Sequence, residues 1–142
     1  MRAALLGVVF AFLSTGAFAE QIRKACLNNL QHNLARQVDL VDASYSETEF
    51  CDCIVGSAAR FGLEADVIVP AAYHAVAVLA AENDVQIGAL MKSQRTTLDE
   101  LIERNSKVQH LKEAIHWVVV IEGAAILRHK LKMRDSCGSG LY

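Results

Sequence analysis

Proline occurs once in the sequence, at Pro70, and aromatic residues make up only 6% of it. Such a composition excludes a Pro-rich linker, a collagen-like chain or a disordered tail. Basic residues are not in surplus: the net charge is −2 and the pI about 6.2. That argues against a nucleic-acid binder of the basic-patch kind. No G-x-S-x-G, P-loop, G-x-G-x-x-G, C-x-x-C-H or H-E-x-x-H motif occurs. Internal repeats, low-complexity tracts and strand patterns at regular spacing are missing as well. What is abundant is apolar residues, 53% of 142, enough for one compact domain.

Part of that apolar content belongs to a leader. Arg2 supplies a positive n-region, residues 3–13 form an unbroken apolar run, and Ala17-Phe18-Ala19 is an A-x-A cleavage site. This is the pattern of a secretory signal peptide over 1–19, with Glu20 as the new N-terminus. Eleven apolar residues fall short of the ~20 that a membrane-spanning helix needs, so the chain is expected not to span a bilayer. Cys26 follows Arg23-Lys24-Ala25, which does not resemble a lipoprotein cleavage point. No Asn-x-Ser/Thr sequon occurs, which points to a bacterial periplasmic or secreted protein. The expected mature domain is 20–142, with thirteen basic and sixteen acidic residues.

All four cysteines, Cys26, Cys51, Cys53 and Cys137, lie in that domain. An even count behind a leader predicts two disulfides. On a helix, Cys51 and Cys53 point about 200° apart, so each is expected to bond a distant partner, Cys26 or Cys137. The alternative is a thiol–disulfide redox site at Cys51-x-Cys53. That motif is not the C-x-x-C of thioredoxin-like proteins, and no βαβ pattern surrounds it.

Helical periodicity runs through the mature chain. Ile22, Cys26, Leu30, Leu34, Val38 and Val41 recur at three- and four-residue spacing, predicting one amphipathic helix over 21–41. Ser46-Glu47-Thr48-Glu49 is a capping box for a second helix over 47–61, stopped by Gly62. On it Cys53 is expected to face the core and Cys51 another side. Within the segment 64–81, the run from Pro70 to Ala81 is apolar nearly all round, so it predicts a buried central helix with Pro70 in its first turn and His74 as a core histidine. Asn83 or Asp84 is placed to cap a short helix over 85–92, and Thr97–Glu100 is another capping box. A break is expected near Asn105. The last helix runs to about 133, about 40 Å long if it starts at Lys107, with basic residues at its end. The fold class is therefore all-α: a compact bundle of four to five helices stapled by disulfides.

Glu122 is the unusual position. It shares a helical face with Leu111, Ile115, Val118, Val119 and Ile126, and His129 follows one heptad later. A carboxylate in an apolar row is paired, exposed at an edge or kept neutral by burial. The favoured structural role is an edge residue or a partner for a basic group on another helix. His116 and Trp117 join Glu122 and His129 as the candidate ligand or partner site. A metal is not expected: His110, Glu113 and His116 drift about 120° around the helix between the two histidines. No cofactor and no catalytic residue are predicted. The expected function is that of a non-catalytic binding or accessory module, taking another protein or a small apolar ligand. A homo-oligomer is compatible with the same features.

Overall fold

The computed structural model describes residues 19–133. The leader expected over 1–19 therefore falls almost wholly outside the described residues, as do Cys137 and the glycine-rich tail at 138–140. Among the described residues every regular element is helical. A first helix, α1, covers 19–31. Six further α-helices follow: α2 (Leu34–Asp42), α3 (Glu47–Ser57), α4 (Ala65–Glu82), α5 (Ile87–Met91), α6 (Arg95–Glu103) and α7 (Lys112–Lys130). Short 3-10 segments, Ala58–Glu64 and Gln109–Leu111, join α3 to α4 and α6 to α7. The all-α class stands, with more and shorter helices than the four to five expected.

The extra helices arise at breaks that periodicity does not show. The apolar row expected over 21–41 ends at residue 31. Asn33 becomes the N-cap of α2, and its side chain accepts from the backbone N–H of Arg36 over 3.0 Å. A short amide side chain that satisfies backbone donors locally competes with helix continuation. The Leu30 carbonyl accepts from the Asn33 N–H over 3.1 Å and from Gln37 Nε2 over 2.7 Å, and the two bonds hold the turn. The break changes the phase of the helix. Ile22, Cys26 and Leu30 remain in the core, but Leu34, Val38 and Val41 face solvent, while Arg36 and Leu40 turn inward.

Ser46 caps α3 as its motif predicts, accepting from the Glu49 N–H over 3.1 Å. The helix ends at Ser57 rather than 61. Gly62, with φ 60°, then turns the chain into α4, a conformation that glycine adopts without steric cost. Pro70 lies inside α4 rather than in its first turn, and His74 is exposed rather than in the core. Along α4, Val69, Ala72, Tyr73, Val76 and Leu79 are buried, and the helix packs against α7 and α5. Gln86 precedes α5 and Gln94 precedes α6, without side-chain caps, so neither Asn83, Asp84 nor the Thr97 box is used. The break near Asn105 is present. The Lys107 N–H donates to Asn105 Oδ1 over 3.0 Å, and α7 begins only at Lys112.

Cys26 and Cys51 form a disulfide that ties α1 to α3. Cys51 is as deeply buried as Cys53, so the expectation that it lies away from the core does not hold. The reason is α1 itself: it covers the side of α3 from which Cys51 projects. Cys53 is also held in a disulfide, and no cysteine is free among the described residues.

Candidate functional site

The four residues singled out in α7 fall into three places. His116 and Trp117 lie on the wall of an open groove, Glu122 lies in the core, and His129 lies at the far end of the helix.

The groove has a volume of about 450 Å³. Lys112, Glu113, His116, Trp117 and Val120 of α7 form one wall; Arg60 of the 3-10 segment and Arg95 at the start of α6 complete it. Trp117 is 3% exposed and packs edge-to-face on Phe61 with ring centroids 5.1 Å apart. Its indole N–H is buried and has no acceptor among the described residues. Buried polar groups of this kind are ordinarily hydrogen-bonded.

The cations around the groove are not equivalent. Arg60 Nη2 pairs with Glu113 Oε1 at 3.1 Å, and Lys112 Nζ pairs with Glu103 at 2.8 Å and with Asp99 at 3.6 Å. The hydrogen bond to Glu103 raises the Lys112 pKa; desolvation opposes it, and the charges of Asp99 and Glu103 act in the same direction as the hydrogen bond. His116 Nε2 donates to Asp99 Oδ1. That hydrogen bond is the main reason the Asp99 carboxyl lies below its usual range; the charges of His116, Lys112 and Arg95 act the same way, and partial desolvation opposes them. Arg95 alone among the three cations makes no ion pair among the described residues.

Glu122 is fully buried. Its Oε1 accepts from Arg36 Nε over 3.0 Å and its Oε2 accepts from the Tyr73 hydroxyl over 2.7 Å. Burial pushes the carboxyl upward in pKa, while Arg36 and the two hydrogen bonds pull it back. The edge-residue expectation fails; the expectation of a basic partner on another helix holds, with Arg36 of α2 as that partner. Arg36 also reaches Asp39 at 3.2 Å, and Asp39 reaches Lys92 at 3.0 Å, so the network ends at the surface. Fully buried, with a donor on each carboxylate oxygen, Glu122 is not exposed to a ligand in solution.

His129 is separate from Glu122. It stacks on Tyr45 with centroids 3.8 Å apart and an interplanar angle of 11°, and its Nε2 donates to the Ser44 carbonyl over 3.3 Å. It anchors the end of α7 on the α2–α3 turn. No cluster of three His, Cys, Asp or Glu able to hold a metal occurs among the described residues. Cys51 and Cys53 are not bonded to one another, and the Cys26–Cys51 bridge is fully enclosed.

Arg36, Tyr73, Arg60 and Arg95 carry no mark in the sequence that sets them apart. An apolar row containing one carboxylate signals that a cationic partner exists somewhere; nothing local says where. No family model, curated protein or solved structure matches the chain.

Proposed function

We propose that the chain is an exported, non-catalytic helical binding module that takes a small apolar or amphipathic ligand, or a partner's apolar side chain, in the groove at Trp117. The observation that carries this reading is the groove itself. Its volume lies within the range of small-molecule sites. It opens onto an outer face of α7 on which Val120, Gly123, Ala124 and Leu127 lie, with Val120 and Leu127 more than half exposed. An apolar helix face left open beside a concave site is a common feature of binding surfaces.

Export is supported by the leader pattern and by the buried Cys26–Cys51 bridge, which persists in an oxidising compartment. In this reading residues 1–19 are removed, the mature chain is periplasmic, and Cys53 pairs with Cys137. The enclosed bridge supports a structural role for the cysteines over a redox one. The stretch Glu47–Glu82 is long and apolar enough to cross a membrane by length and composition. It is, however, interrupted by the Gly62 turn and carries much of the core, which supports a globular role.

The test uses the chain's single tryptophan. The neutral dye N-phenyl-1-naphthylamine should bind saturably, one per chain, and quench Trp117 emission by energy transfer. Val120→Asp should abolish binding with the helical circular dichroism unchanged, and Leu34→Asp on the remote α2 face should not. Absence of saturable binding, or indifference to Val120→Asp, overturns the proposal.

A further inference from the structure

We infer that the ligand of the groove is a small carboxylate with an alkyl or aryl tail, its head held by Arg95 and the Trp117 indole N–H and its tail lying along Val120. The inference rests on the binding-module reading above and names the ligand's chemistry. Two donors belong to residues that line the same groove: the Arg95 guanidinium, which makes no ion pair among the described residues although its charge acts on Asp99, and the Trp117 indole N–H, which is buried and has no acceptor among them. A guanidinium presents a planar pair of N–H donors that a carboxylate matches with two oxygens. An indole N–H is a donor only, so it also calls for an acceptor.

The other two cations are already engaged, Arg60 by Glu113 and Lys112 by Glu103 and Asp99. The surroundings of the head thus hold three basic side chains, Arg60, Lys112 and Arg95, beside three carboxylates, Glu113, Glu103 and Asp99, with Arg95 the one basic group outside a close ion pair. That balance suits a monoanion and opposes a dianionic phosphate through like-charge repulsion. Val120 and the Trp117 ring give the wall its apolar part, which selects a ligand with a tail over a free small anion.

The experiment compares octanoate, 1-octanol and octyl phosphate on the uniformly 15N-labelled full chain. Its single tryptophan yields one indole cross-peak. Octanoate should bind at least tenfold more tightly than 1-octanol and octyl phosphate, and should move the indole proton downfield as the carboxylate accepts from it. Arg95→Gln should reduce octanoate to the level of 1-octanol while leaving 1-octanol binding unchanged. Equal binding of octanoate and 1-octanol, a stationary indole peak at saturation, or an Arg95→Gln variant that binds octanoate normally overturns the carboxylate assignment and leaves the binding-module reading in place. If none of the three octyl compounds binds and the neutral dye does not bind either, both readings fall together.

Discussion

Arg36 Nε donates to Glu122 Oε1 over 3.0 Å, joining two side chains that are 86 positions apart in the sequence. The carboxylate is completely buried and the arginine side chain is 7% exposed. The pair is completed by the Tyr73 hydroxyl on the second carboxylate oxygen. Three helices, α2, α4 and α7, therefore meet at one ionic contact inside a mainly apolar core. Desolvating both charges is costly, and the added hydrogen bonds are what make the arrangement tolerable. Breaking one side leaves a buried charge without its counterpart. Glu122→Gln is expected to lose about 3 kcal/mol of stability, measured by urea denaturation. The triple variant Arg36→Met, Tyr73→Phe, Glu122→Leu removes every member and should return to within about 1 kcal/mol of the parent. A Glu122→Gln protein as stable as the parent would show that the contact is not maintained in solution.

The same site sets an alkaline limit. Burial raises the Tyr73 phenol well above its ordinary value, Glu122 beside it acts in the same direction, and Arg36 opposes them. The folded state therefore holds the phenolic proton more tightly than the unfolded state. The resulting stability is fully present below the unfolded phenol pKa of about 10 and is lost as pH rises above it. Melting temperature should fall above a pH of about 10 more steeply for the parent than for Tyr73→Phe. Parallel alkaline limbs would remove Tyr73 as the cause.

The Cys26–Cys51 bridge closes a loop with a sequence separation of 25. The chain-entropy estimate for that length is about 3.5 kcal/mol. Cys26→Ala with Cys51→Ala should lose stability of this order in guanidinium titrations. Alkylation of the denatured, unreduced parent should label no cysteine, and all four should react after reduction.

Two glycines should respond oppositely to alanine. A Cβ on Gly88 would lie 2.6 Å from Asn33 Oδ1 and 2.7 Å from the Ala35 Cβ, where α5 meets the start of α2. Gly88→Ala therefore displaces the side chain that caps α2 and is expected to cost about 1–3 kcal/mol. A Cβ on Gly123 meets nothing within 4 Å on the outer face of α7. Gly123→Ala should raise stability by about 0.4–1 kcal/mol, through the lower entropy of the unfolded chain. Thermal melts of the two variants against the parent distinguish a close approach from an open helix face.

Features governed by neighbours along the chain are legible in the sequence itself. The all-helical class, the Ser46 cap, the break near Asn105, the inward face of Ile22, Cys26 and Leu30, and the separation of Cys51 from Cys53 all follow from periodicity or from side chains within a few positions. Glu122 stands out for the same reason, as one carboxylate in an apolar row. The end of α1 escapes the pattern because Asn33 fits the helical spacing around it; its effect as a cap on Arg36 shows only in backbone geometry.

Contacts across long separations lie beyond that kind of pattern. Which cation meets Glu122, which helix encloses Cys51, and which side chains from 60, 95 and 117 converge on one groove depend on how the helices are stacked. A charged residue on α2 carries no local mark of whether it turns to water or to a carboxylate on a distant helix. That choice is made by the packing of α2, α4 and α7, because only their assembly creates the low-dielectric space in which Arg36 and Glu122 must find each other.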